Sequence, residues 1–497
     1  MEEAQNLKRK TIASAFWKFA ERMIAQMVSL IVSIILARLL TPDDYSVVGI
    51  VAIFFAFANV LISGGFNTAL IQKKDADKED YSSVLVISLI AATVLYVAMF
   101  FCAPLIASAY HKSILVPVFR IMGLTLFINA FKAILCAYIS SRLQFRKFFF
   151  ATIGGTLISA VVGISMALSG YGPWALVAQQ MTNSIIDTLI LYITTRVRFS
   201  FRLSKKSKGL FKYGWKILVA SEISVLYDEM NPLVIGLKYS GADLSYYTKG
   251  KSFPGLVNST VGNTLSAVLF PSMAKVQDDK QAILSYTRRF MRLSSFLIFP
   301  IMIGFLVVAE QFVLLLLTEK WSPAVIYIQA FCIVYMFDMI QIGNLQVIRA
   351  IGRSDLILIL EIIKKSTYFT VILLFVLFTD KPEYLALACI INTLFATIVN
   401  TYPNRKLIGY RYRMQLIDVL PNFLMSVLMG GVVYTVGLLN LALLPLLLLQ
   451  ICVGVGFYLL LSIITRNENL KYLWKTLKSF VKKEKKEKDC AENKKSN

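Results

Sequence analysis

The stretch Ser82–Tyr110, SSVLVISLIAATVLYVAMFFCAPLIASAY, contains no Asp, Glu, Lys or Arg. It is longer than the roughly 20 apolar residues a helix needs to cross a bilayer. The same pattern recurs on both sides, with apolar runs at about 12–38, 44–71, 82–110, 115–141, 147–169, 173–196, 209–237, 243–272, 283–308, 324–349, 356–378, 383–402, 415–438 and 441–465. Hydropathy thus predicts an all-α integral membrane protein of about fourteen transmembrane helices. Some runs exceed the membrane thickness, which implies tilt or extension beyond it. The first run lacks a small-residue cleavage site behind a short apolar core, so it is expected to be a retained helix.

Composition agrees. The 497 residues are 57% hydrophobic and 16% charged, and the mean hydropathy is +0.66. A soluble chain carries roughly a quarter charged residues. Too few charges are present to cover a water-facing surface of this size.

Lys and Arg set the orientation, because they resist translocation. With the N-terminus inside, the inner segments hold about 38 of the 52 basic residues, the outer loops about 5 and the spans about 9. The inner segments include Lys8 to Lys10, Arg142 with Arg146 and Lys147, Arg196 to Lys212, Arg288 with Arg289, Arg405 to Arg413 and the lysine-rich tail. Both termini are then cytoplasmic. The net charge of +23 is explained by orientation, and no nucleic-acid partner is expected. In Asn469–Val481, Leu470, Leu473, Trp474, Leu477, Phe480 and Val481 share one helical face opposite lysines, which predicts an interfacial helix on anionic membrane lipids. Lys482–Asn497 is too charged to bury a face and is expected to be disordered.

Several chemistries lack their residues. The cysteines Cys102, Cys136, Cys332, Cys389, Cys452 and Cys490 form no C-x-x-C pair, and His111 is the single histidine. Metal sites need converging ligands, and the phosphate loop of an ATPase is missing. No cofactor, metal site or catalytic residue is expected.

The chain reads as a duplication. Phe16-Trp17-Lys18 matches Gly214-Trp215-Lys216, Asp44-Tyr45-Ser46 matches Asp243-Leu244-Ser245, and Asn59 matches Asn258, all at an offset of about 199. Six spans per half is an even number, so both halves enter the membrane from the same side. A pseudo-two-fold axis along the membrane normal follows, with a substrate cavity expected between the halves. The expected division is 1–200 and 201–410 for two six-helix lobes, 411–466 for spans thirteen and fourteen, and 467–497 for the basic helix and tail.

Two motifs then carry a family resemblance. Residues Ile35 to Tyr45, ILARLLTPDDY, lead into Gly64 to Gln72, GGFNTALIQ, and the second half carries Ser245 to Pro254, SYYTKGKSFP. The chain resembles bacterial polysaccharide flippases of the multidrug/oligosaccharidyl-lipid/polysaccharide export superfamily, in the branch of colanic-acid and teichuronic-acid exporters. The resemblance covers nearly the whole hydrophobic part. Ser46 and Ser245 stand where the family pattern carries glycine. The resemblance implies two pseudo-symmetric six-helix lobes in a V, two further C-terminal helices and alternating access in a bacterial inner membrane. It also implies an undecaprenyl-diphosphate-linked oligosaccharide as substrate, and drive by an ion gradient or by substrate supply.

Charges inside spans are costly and mark function by default. An anionic lipid diphosphate needs cations, and the candidates are Lys18, Arg22, Lys216, Lys249 and Lys251. Lys18 and Arg22 share a helical face beside Glu21; substrate binding and snorkelling to headgroups both fit them, and Lys216 repeats Lys18. Lys249 and Lys251 lie roughly 200° apart on a regular helix. A break at Gly250, Pro254 or Gly255 would let both reach one cavity; headgroup contact is the other reading. Arg120 and Lys132 are assigned to ion pairs with acids on a neighbour, and Glu361 with Lys365 to mutual neutralisation. The acids Glu222, Asp228, Glu229, Asp187 and Asp338 are candidates for ion coupling, with structural ion pairing as the alternative.

Three rival functions share parts of this pattern. A cation-coupled drug or metabolite antiporter would share the fold but favour an acidic cavity. A polysaccharide polymerase or glycosyltransferase would need a long outer loop, and the longest expected one, near Glu310 to Pro323, is about a dozen residues. A scaffold for polysaccharide-assembly proteins would leave the membrane charges without a role. The chain is expected to act as a monomer.

Overall fold

The structure is a computed structural model that describes residues 2–63, 70, 77–142, 144–197, 208–274, 276, 278–472 and 474. Among them are fifteen α-helices in chain order: α1 (Glu2–Leu39), α2 (Pro42–Ser63), α3 (Lys78–Ala109), α4 (Leu115–Gly123), α5 (Thr125–Ser141), α6 (Arg146–Leu168), α7 (Pro173–Thr195), α8 (Lys208–Lys238), α9 (Gly241–Ala274), α10 (Lys280–Leu316), α11 (Ala324–Ala350), α12 (Ser354–Phe378), α13 (Glu383–Leu407), α14 (Tyr412–Gly437) and α15 (Leu443–Ile464). The fourth predicted span is two helices, α4 and α5, interrupted at Leu124. With those two counted as one, the helices follow the fourteen apolar runs.

Ten helices among the described residues are long and apolar enough to cross a membrane. The four outside that group are α7, α8, α9 and α12. They carry Asp187, Glu222, Asp228, Glu229, Lys249, Lys251, Glu361 and Lys364. Elsewhere the outward surface is apolar, with Phe378 80% exposed and Phe101 73% exposed. Such exposure fits a lipid solvent, which has no need of a charged coat.

Two compact units result: Met1–Thr248 with Leu316–Trp321 and Asp380–Pro382, and Lys249–Leu315 with Ser322–Thr379 and Glu383–Asn497. The expected outer loop from Glu310 is largely absent. Helix α10 continues through Glu310 to Leu316, and Glu319–Trp321 form a 3-10 turn. That turn caps the end of α1 within unit 1. Trp321 Nε1 donates to the Ala37 carbonyl at 2.9 Å and Lys320 Nζ to the Arg38 carbonyl at 2.7 Å, satisfying acceptors that a helix C-terminus leaves open. Tyr45 and Tyr246 meet the buried Trp321 ring edge-on.

The duplication is visible in the caps. At the start of α2, Thr41 N donates to Asp44 Oδ2 at 2.8 Å and Asp44 N to Thr41 Oγ1 at 3.2 Å. At the start of α9, Ser240 N donates to Asp243 Oδ2 at 3.0 Å and Asp243 N to Ser240 Oγ at 3.1 Å. Both are capping boxes, which fix where a helix begins. Ser46, one turn into α2, is buried and accepts Lys112 Nζ at 2.7 Å.

In unit 1, α6 and α7 approach closely through glycine. A Cβ on Gly163 would stand 2.9 Å from Gln179 Cβ, and one on Gly155 would stand 3.3 Å from the Asn183 carbonyl oxygen. Small residues permit such contact where apolar burial gives no driving force. Gly163→Val is expected to cost about 1–3 kcal/mol by overpacking, read as earlier thermal unfolding in detergent. An unchanged midpoint would show that the helices separate freely.

In unit 2 the core between α11, α13 and α14 is polar. Asn344 Nδ2 donates to Gln415 Oε1 at 2.9 Å, and Asn404 Nδ2 to Asn344 Oδ1 at 2.7 Å. All three side chains are buried. Such hydrogen bonds hold membrane helices in register.

Candidate functional site

Each unit presents its own line of polar side chains. In unit 1, Arg22 on α1 is exposed, while the adjacent Glu21 is buried and accepts Thr152 Oγ1 at 3.1 Å. Arg22 therefore keeps a guanidinium at the helix surface, and Glu21 points into the packing against α6. Lys18 and Lys216 lie on α1 and α8, but their side chains fall outside the described residues.

Lys132 on α5 meets the buried Asp187 of α7 at 2.5 Å. Lys132 thus has the acid on a neighbour that the sequence suggested, and that acid is one of the coupling candidates. Arg120 instead lies over the Phe100 ring, 4.2 Å from its centroid. This cation–π contact substitutes for an anion.

On α8, Glu222 Oε1 is buried and has no hydrogen-bond partner among the described residues. Asp228 is exposed and Glu229 half-buried. A carboxylate oxygen enclosed without a donor is costly, and it stands ready to accept a proton or ligate a cation.

In unit 2, Lys249 and Lys251 are both half-buried on α9. The break anticipated near Gly250 and Pro254 does not occur, and α9 is continuous from Gly241 to Ala274. Gly250 serves close packing instead: a Cβ there would collide with Tyr327 Cβ on α11. The two lysines therefore flank this packed face, each roughly 100° around the helix from it.

The repeated asparagines also have matching partners. Asn129 Nδ2 donates to Asn59 Oδ1 at 2.9 Å in unit 1, and Asn258 Nδ2 donates to Asp338 Oδ2 at 2.7 Å in unit 2. Each joins the second span of a half to its fourth. In the second half the partner on the fourth span is the carboxyl of Asp338 in place of an amide. Glu361 accepts Lys364 Nζ at 2.6 Å, three residues on, where the sequence predicts Lys365, four residues on.

Sequence reasoning missed Asp418. It is buried in α14 and accepts Arg288 and Arg292 of α10. The signal was available: two arginines four apart on one helical face, and a lone acid at the start of an apolar run. Among the described residues, no group of three or more His, Cys, Asp or Glu is placed to hold a metal ion. The expected interfacial helix at 469–481 is described at residues 468–472 and 474, which are helical; the rest of that helix and the tail beyond it lie outside the described residues.

The family of polysaccharide biosynthesis proteins matches residues 35–326. The chain is 23% identical over 449 residues to the lipopolysaccharide biosynthesis protein WzxC of Escherichia coli (strain K12), across 87% of this chain and 89% of that one. It is 25% identical over 294 residues to the succinoglycan biosynthesis transport protein ExoT of Rhizobium meliloti (strain 1021), across 58% of this chain; the match spans 59% of that relative's length. In structure it resembles the lipid II flippase MurJ in an inward closed conformation, with a TM-score of 0.73 and 15% identity, over 92% of this chain and 99% of that one. The matched span, the helix order and the motifs from Ile35 onward agree, and the chain belongs to the polysaccharide biosynthesis protein family.

Proposed function

We propose that the chain is a flippase that moves diphosphate-linked oligosaccharide repeat units from the inner to the outer face of the bacterial cytoplasmic membrane for surface polysaccharide assembly. The observation that carries this reading is the near-complete likeness of its fold to a lipid flippase in a chain whose family builds polysaccharide. The roles for which two relatives are named, succinoglycan transport and lipopolysaccharide biosynthesis, fit the same class of cargo.

The halves 1–200 and 201–410 rock to expose the site alternately, with 411–466 alongside. Arg22, with Lys18 and Lys216, draws the diphosphate on the inner side, and whichever of Lys249 and Lys251 lies on the cargo's flank of α9 receives it further out. Guanidinium and ammonium groups suit this role because phosphate oxygens bind them through charge-assisted hydrogen bonds. The sugars travel in water between the halves while the polyprenyl tail stays in lipid. Both termini are cytoplasmic, the chain works as a monomer, and it hands its cargo to polymerising or assembly proteins outside. It breaks no covalent bond. Transport of fluorescent lipid-linked oligosaccharide by reconstituted vesicles tests this; transport of cationic dyes in its place would overturn it.

Glu222 is assigned the coupling role, because its buried Oε1 lacks a donor among the described residues. Asp338 is a second candidate. Glu222→Gln keeps the shape and removes the charge. It is expected to abolish the response of the transport rate to an imposed proton or sodium gradient. A variant that still follows the gradient would exclude Glu222.

A further inference from the structure

Unit 2 holds a basic pocket at the end that the Lys/Arg distribution places in the cytoplasm. Helix α10 carries Arg288 and Arg292 one turn apart, with Arg289 beside them. Asp418 of α14 accepts Arg288 Nε at 2.8 Å, Arg288 Nη2 at 2.9 Å, Arg292 Nε at 2.8 Å and the Tyr410 hydroxyl at 2.9 Å. Burial first, then the Asp418 carboxylate, raises the Tyr410 phenol well above its ordinary range, so it remains a donor. Four donors saturate this buried carboxylate. It holds the guanidiniums in fixed orientations, with Arg288 Nη1 and Arg292 Nη2 left over.

These arginines line a pocket of about 560 Å³ together with Gln281, Glu468 and Tyr472. Arg289 stacks on the Tyr472 ring at 4.5 Å, and Arg292 Nη1 reaches the exposed Glu468 at 3.4 Å. Three guanidiniums thus stand against two carboxylates, one of them sealed behind the wall. One turn further along α10 the surface becomes apolar. Phe296, Leu297 and Ile301 line a groove of about 560 Å³ with Val455, Tyr458 and Leu459 of α15. A charged mouth above an apolar groove matches an amphiphile, whereas a free anion would have no use for the groove. Guanidinium pairs are suited to phosphate oxygens in geometry as well as charge.

We propose that this pocket binds the phosphodiester headgroup of an anionic inner-leaflet phospholipid, whose acyl chains lie along the apolar groove. The site is separate from the residues assigned to transport, and it anchors α10, α14 and the start of the C-terminal helix to the membrane surface.

The test uses the purified full chain in detergent, titrated with short-chain phosphatidylglycerol, phosphatidylcholine, inorganic phosphate and inorganic diphosphate, with binding read by native mass spectrometry and thermal shift. Phosphatidylglycerol is expected to bind in preference to phosphatidylcholine, with neither inorganic anion displacing it at equal concentration. Arg289→Gln is expected to weaken binding about fivefold, the contribution of one basic residue at a membrane surface. Arg292→Gln is expected to weaken it at least as much. Arg289 makes no bond to Asp418 in the structure, so its variant tests the site even if Arg292→Gln fails to fold. Equal binding of the two phospholipids, unchanged binding by Arg289→Gln, or displacement by either inorganic anion would each overturn the proposal.

Discussion

Replacing Lys249 and Lys251 together with glutamine is expected to slow flipping of the lipid-linked substrate by roughly tenfold to a hundredfold, with one of the two single variants carrying most of the loss. The size follows from hydrogen bonds to charged groups, worth about 1.5–3 kcal/mol each. The asymmetry follows from geometry. Helix α9 runs unbroken through this segment, so the two ammonium groups point to opposite flanks of the face packed at Gly250. One flank can serve the cargo and the other cannot. Arginine at the effective position should restore transport, because its fork also binds phosphate. Initial rates in reconstituted vesicles decide the matter. Equal losses from both single variants would mean that the helix opens during transport, and wild-type rates in the double variant would remove these lysines from the site.

Much of this was legible in the sequence because one physical variable, apolar run length, controls spanning helices. The boundaries near Ser82, Pro173, Ala324 and Leu443 follow from it directly. The interruption at Leu124 does not, since its only local marks are Gly123 before it and Thr125 after it, and a single glycine within a long apolar run is tolerated by a helix. Pro254 misled in the opposite direction. Proline frees a backbone carbonyl, but neighbouring helices can satisfy that group in a membrane, and α9 passes through it.

Polar pairing was legible only in kind. A lysine within the fourth span demanded an acid, and the acid proved to be Asp187, 55 positions away. Only the packing of α5 on α7 identifies it. Glu361 had two lysines within one helical turn, and choosing between three and four residues depends on rotamers that sequence does not encode. The Asp418 cluster joins residues about 130 apart. Its components were visible one by one, but their convergence depends on how α10 and α14 meet.

Asp187→Leu is expected to be the most destabilising single change in unit 1. It strands the Lys132 ammonium within the helix bundle, and breaking a buried pair from one side costs about 3–5 kcal/mol. Lys132 is 34% exposed at its side chain, so the lower figure applies. The double variant Lys132→Leu with Asp187→Leu removes both charges. It should recover stability to within about 1 kcal/mol of the parent, since apolar replacements of buried pairs are often neutral or stabilising. Thermal unfolding of the three proteins measures this directly. Transport by the double variant then separates two roles for Asp187. The contact of Asp187 with the Lys132 ammonium at 2.5 Å gives it a structural ion-pair role, which the double variant dispenses with. The stable double variant should therefore keep its gradient response. Loss of that response with stability intact would move the coupling group from Glu222 to Asp187.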